Sequence, residues 1–173
     1  ALIDDHTPVP DHARFKWTRL AAFLAVGVTL GLAVFGGLLA VYGWQGTLTQ
    51  MGWFFTKAAF LTIGGAYAVL PYVYQGGVEQ YGWLTGPQMI DGLALGETTP
   101  GPLIMVVTYV GFIGGWTKQI FGGDLLALGG IAGALVATFF TFLPSFLFIL
   151  AGGPMVEASR HDIKLAAPLT AIT

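Results

Sequence analysis

The sequence predicts an all-α integral membrane protein, a helical bundle in which some helices are broken or re-entrant. Three observations carry that prediction. First, 55% of the 173 residues are hydrophobic and only 9% are charged, whereas a soluble domain carries about 25% charged residues. Second, 20–42 and 125–150 are long stretches with no charge. Third, Gly64-Gly65 with Pro71, and Glu97-Thr98-Thr99-Pro100-Gly101-Pro102, interrupt otherwise apolar runs. Non-helical backbone at membrane depth is tolerated only where protein buries it or where it lines a water-filled cavity. A broken helix beside an acid is therefore a candidate transport site.

Residues 1–19 read as a cytoplasmic linker. Asp4, Asp5 and Asp11 lead into Arg14, Lys16 and Arg19, with Phe15 and Trp17 between them, a basic and aromatic membrane edge that faces the cytoplasm. Residues 20–173 read as the transmembrane part of a transporter, ending on a helix just starting at 166–173. The chain is thus expected to be a piece of a longer membrane protein. Leu20 to Tyr42 is long enough to span, given the need for about 20 apolar residues, and Tyr42 and Trp44 anchor its end. Gly27-x-x-x-Gly31 permits close helix packing but is a weak dimer signal in a chain with 26 glycines.

Trp53 to Tyr74 reads as an interrupted span holding Lys57, Gly64-Gly65 and Pro71. Lys57 either adds positive charge to a vestibule or snorkels to the interface beside Trp53. Thr62 and Tyr67 offer hydroxyls at the depth of the glycine pair. Gln75 to Gly82 reads as a loop. Thr85 caps the next helix, with Pro87 in its first turn, and that helix runs to about Gly96. Asp91 and Glu97 are six residues apart, on different helix faces, and do not read as a carboxylate pair. Pro102 to Trp116 is too short to cross alone. With Pro87–Gly96 it makes either one broken span or a re-entrant hairpin. Lys118 to Asp124 is a polar turn, and Leu125 to Leu150 is a span that Pro144 is expected to kink.

The interruptions fit anion chemistry. A helix restarting after Pro100-Gly101-Pro102 has free amides near Leu103–Met105 and the positive end of the macrodipole. With the hydroxyls of Thr98 and Thr99, and with Gly101 admitting close approach, these amides form a candidate oxyanion cradle. Gly64-Gly65 is positioned to supply a second set. Glu97 either exchanges a proton while the anion binds or merely caps the following amides.

Other chemistry lacks its residues. The chain has no cysteine, no His-Glu-x-x-His and no Gly-x-x-x-x-Gly-Lys-Ser/Thr loop. Neither an enzyme nor a cofactor or metal site is expected. The net charge of −2 comes with no basic stripe for nucleic acid.

Lys57 to Val73, Tyr81-Gly82-Trp83-Leu84-Thr85, Gln88 to Leu93 and above all Glu97 to Met105 with Val110-Gly111-Phe112 closely resemble the chromate ion transporter family. The resemblance covers about residues 53–116 and continues more weakly to Ala171. It implies a multi-pass protein of the bacterial inner membrane that exports chromate, or a related oxyanion such as sulfate, in exchange for protons. It implies one half of an inverted-repeat transporter, the second half of a long chain, whose partner is the homologous other half or a second subunit. An anion channel, or a structural half-subunit, is the alternative. Two departures stand out. Gly86-Pro87 lies where the family has Pro-Gly, and Thr108-Tyr109 replaces the usual Gln-Phe, which puts the identity of the anion in question.

Overall fold

The computed structural model describes residues 17–62, 65, 69–98 and 104–159, and no strand occurs among them. Six helices follow in order: α1 Trp17–Tyr42, α2 Thr47–Leu61, α3 Val69–Tyr74, α4 Gly86–Thr98, α5 Ile104–Thr117 and α6 Leu126–Ser159. Two segments, Leu20–Tyr42 and Gly123–Gly152, are long and apolar enough to cross a membrane. The helices between them are not. α2, α4 and α5 hold 15, 13 and 14 residues, or about 20 Å each at 1.5 Å per residue, against a hydrocarbon core of about 30 Å.

The contacts of residues 29–145 show how the short helices are arranged. Thr49 Oγ1 donates to the Leu38 carbonyl (3.1 Å), and Phe35 meets Trp53 with ring centroids 6.4 Å apart, so α2 turns back along α1. Phe54 stacks on Tyr72 at 4.5 Å, and a Cβ on Gly76 would collide with the Phe54 ring. That pairing makes α2 and α3 an antiparallel hairpin. A Cβ on Gly92 would stand 2.6 Å from Tyr109 Cδ1, and one on Gly96 2.6 Å from Val106 Cγ2. So α4 and α5 form a second antiparallel hairpin. The sequence left two readings open for this pair, and the hairpin is the one found.

Two expectations need correction. Trp53 to Tyr74 is not one interrupted span but the two arms of the first hairpin, whose outgoing arm starts earlier, at Thr47. Gln75 to Gln80 is not a loop but a π-helical turn. Gly76 and Gly77 are buried there because Phe54, Leu84 and Val110 press on them, and the wider turn accommodates rings where side chains would not fit. α6 is helical on both sides of Pro144, and the Ser145 hydroxyl donates to the Thr141 carbonyl (3.2 Å). The N-terminal signal of α4 is as expected. Thr85 N donates to Gln88 Oε1 (2.8 Å) and Gln88 N to Thr85 Oγ1 (3.4 Å), a capping box.

One buried cluster joins the hairpins. It includes Met51, Phe54, Phe55 and Ala58 from α2, Val69 and Val73 from α3, Trp83, Met89 from α4, and Val106, Val107 and Val110 from α5. Trp83 is fully enclosed and stacks on Tyr81 at 4.6 Å. Outward faces are apolar: Leu32, Val41, Ile131 and Leu135 are all exposed, a surface that suits lipid.

A second compact unit combines 1–28 with 146–173. Within it Gly27 lies against Leu147, so part of the Gly27-x-x-x-Gly31 signal serves packing inside the chain. Gly31 does the same against Leu143, where a Cβ would stand 2.8 Å from Cδ2.

Candidate functional site

The two hairpins point the same way. Near the base of both, Met51 of α2 meets Gly114 of α5, where a Cβ would stand 2.5 Å from Met51 Cε. Leu61 and Ile104 each lie ten residues from that contact along their helices, about 15 Å at 1.5 Å per residue. Since α3 and α4 run antiparallel to these arms, Leu61, Val69, Thr98 and Ile104, which flank the two breaks, stand toward one end and at similar height. The ends of α2 and α4 bring carbonyls to that level, and the starts of α3 and α5 bring amides.

Five of the sequence-selected residues fall among those described. Thr62 follows α2, and its hydroxyl donates to the Ala59 carbonyl (2.6 Å). Gly65 has φ +123 and an amide that donates to the Thr62 carbonyl (2.9 Å). Only glycine adopts that backbone readily, and a Cβ there would meet nothing within 4 Å. The residue is therefore required by conformation rather than by crowding. Glu97 is exposed in the last turn of α4. Thr98 closes that helix, and its hydroxyl donates to the Leu95 carbonyl (3.0 Å). The structure thus brings Thr62, Gly65, Glu97 and Thr98 to the same end.

Lys57 is placed apart from them. Its Nζ lies 5.5 Å over the Trp53 ring, one turn back toward the start of α2. Side chains on a helix lean toward its N-terminus, and the ring face attracts the cation. Gly64, Tyr67, Thr99, Gly101 and Leu103 lie outside the described residues.

Two features were not singled out in the sequence. Gly111 and Gly115 of α5 pack directly on Gly133 and Gly129 of α6. A Cβ on Gly111 would stand 2.5 Å from the Gly133 carbonyl oxygen, and one on Gly129 2.9 Å from that of Gly115. Beside this seam the Thr108 and Thr138 hydroxyls share a hydrogen bond of 2.8 Å. The signal was legible as Gly111-x-x-x-Gly115 and Gly129-x-x-x-Gly133, a spacing that lets membrane helices touch through their backbones. Thr108 therefore ties α5 to α6. Among the described residues no group of His, Asp and Glu is arranged to hold a metal ion.

The family model described as "Chromate transporter" matches residues 49–173. The chain is 32% identical over 139 residues to the "Chromate transport protein" of Cupriavidus metallidurans, covering 80% of this chain and 31% of that protein. It is 35% identical over 156 residues to the "Chromate transport protein" of Pseudomonas aeruginosa, covering 90% and 34%. The "Uncharacterized transporter YwrA" of Bacillus subtilis is 32% identical over 109 residues, with 62% of this chain and 53% of that protein covered. The chain spans about a third of the length of the two chromate transport proteins. No solved structure matches it. The match of that family model to residues 49–173, well over half of the chain, makes this chain a member of the chromate transporter family.

Proposed function

We propose that the chain forms the substrate-binding half of a secondary transporter that exports chromate, or a related tetrahedral oxyanion, across the bacterial inner membrane and couples this movement to protons. The observation that carries the proposal is the height match of the two hairpin ends. It brings the ends of α2 and α4 and the starts of α3 and α5 to one level, and the first amides of a helix have no partner within it. Backbone amides at helix starts favour anions. Thr98, Thr99, Gly101 and Leu103 from one hairpin, and Thr62, Gly64, Gly65 and Tyr67 from the other, contribute to the oxyanion site. Lys57, drawn toward Trp53, stands at its approach. Glu97 carries the proton. A homologous second half in inverted orientation, or a second copy, completes the pathway, in keeping with the greater length of the chromate transport proteins.

Flux of labelled chromate into inverted membrane vesicles, with and without a pH gradient, tests the proposal. Uphill movement that collapses when the gradient is dissipated is expected. Flux that only runs downhill and ignores the proton gradient identifies a channel instead. Gly101→Leu at equal expression is expected to abolish oxyanion binding, and retained binding would remove the second hairpin from the site.

A further inference from the structure

One stripe of α2 grades from polar to apolar along its length. Gln50, Trp53, Lys57 and Leu61 stand three, four and four residues apart, so they share a helix face. Gln50 lies near the hairpin base, where its side-chain amide donates to Gln45 Oε1 (3.3 Å). Trp53, Lys57 and Leu61 are exposed, and Leu61 is the farthest of them from the base. The upper part of the stripe meets the corner between α1 and α2. There Phe35, Trp44 and Trp53 form a triangle of rings, with centroids 6.2, 6.4 and 6.2 Å apart. Trp44 is 54% exposed and Trp53 45%, so both indoles have a face to offer. Indoles in such a position mark the level of the lipid headgroups.

Lys57 brings an unneutralised charge to this corner. Its Nζ lies 5.5 Å over the Trp53 ring, drawn from its own level toward the headgroups. Among the described residues no carboxylate pairs with it. Lys118 stands elsewhere, near Gly82, and leaves Lys57 as the charge of the corner. A ring face attracts an ammonium, but it takes none of the three N–H donors in an ordinary hydrogen bond. Those donors call for an anionic acceptor.

We propose that the α1–α2 corner docks one anionic phospholipid. The phosphate takes the Nζ donors of Lys57, the indoles cover the glycerol region, where an amphipathic ring is at home, and an acyl chain runs down the stripe over Leu61. The order of a lipid, charged head and then tail, matches the order of side chains along α2. A headgroup with an ammonium of its own meets like charge, because the Trp53 face already holds one. The occupant therefore carries net negative charge, and phosphatidylglycerol is a simple lipid of that class. The site stands whether or not the hairpin ends bind an oxyanion, because every group in it lies between Phe35 and Leu61.

The test reads the lipid beside the stripe itself. The chain has no cysteine, so Leu61→Cys carries a single bimane fluorophore on the intact chain in lipid nanodiscs. Lipids brominated along their acyl chains quench a fluorophore that they touch. Brominated phosphatidylglycerol, sparse in a phosphatidylcholine host, is compared with brominated phosphatidylcholine at the same fraction. The anionic lipid is expected to quench as if enriched about fivefold, the factor for one lysine at an anionic surface. Lys57→Gln is expected to remove the difference, and Lys57→Arg to keep it. Equal quenching by the two lipids when Lys57 is present overturns the proposal. Enrichment that survives Lys57→Gln overturns it too, since the lipid is then held by charges elsewhere. Enrichment erased by inorganic phosphate or chromate at matched ionic strength assigns the ammonium to a free oxyanion, and the lipid site fails.

Discussion

Gly65 and Tyr72 show what single residues tell about this chain. Gly65 sits at φ +123 with open space where a Cβ would go. Gly65→Ala is therefore expected to be unfavourable for conformational reasons alone, by about 1–3 kcal/mol. Thermal unfolding in detergent should register it as a lower midpoint with no new clash. Tyr72 is the converse. Its hydroxyl is buried and has no hydrogen-bond partner, while its ring stacks on Phe54 at 4.5 Å. Tyr72→Phe keeps the ring and removes an unsatisfied polar atom, which costs about 1–3 kcal/mol when buried. Equal or higher stability is expected, and a lower midpoint would reveal a partner for that hydroxyl. At Glu97 the outcome is functional. Glu97→Gln is expected to remove the dependence of flux on the pH gradient while some anion binding remains.

At the scale of elements, the seam between α5 and α6 is the most sensitive contact. Gly115→Ala would drive a methyl group into the Gly129 carbonyl, and the helices must separate to admit it. A loss of about 1–3 kcal/mol is expected, as for other overpacked sites. Thr108→Val removes only the 2.8 Å hydrogen bond to Thr138 and is expected to cost about 0.6 kcal/mol, the average for interhelical bonds in membranes. Paired measurements of folded fraction in the same detergent would rank the two.

The elements also show which signals a sequence carries. α1 was legible because an uncharged run of its length has few other uses. α4 was legible at its start, where Thr85 and Gln88 exchange hydrogen bonds, and Gly65 and Pro102 fall in the intervals between α2 and α3 and between α4 and α5. The direction of the chain after each break was not, because a kinked crossing and a hairpin use the same residues. That choice is made by distant contacts such as Phe54 with Tyr72 and Gly96 with Val106. The position of Lys57 was ambiguous for a similar reason. Its spacing from Trp53 allowed a contact with that ring, which the fold supplies at 5.5 Å from Nζ to the ring centroid.

At the scale of the whole molecule, the hairpins set a topology that is open to direct test. The turn after α1, the stretch around Gly82 and the turn after α5 come together at the hairpin bases. A Cβ on Gly82 would stand 3.8 Å from Lys118 Nζ. The chain has no cysteine of its own, so single cysteines report cleanly. Cysteines replacing Gln45, Glu79 and Gln119 are expected to react with an impermeant reagent from one and the same side of the membrane. If Glu79→Cys reacts from the opposite side, α2 and α3 form a crossing and the hairpin arrangement fails.

The bare seam of Gly111, Gly115, Gly129 and Gly133 has one more consequence. Where main chain rests on main chain, no rotamer can swing aside to relieve a misfit. Over evolutionary drift these four sites are hard to rescue by compensating changes nearby, since each faces a partner's backbone that cannot be trimmed. In a saturation screen for growth under metal stress, they should stand out as positions where one letter alone survives.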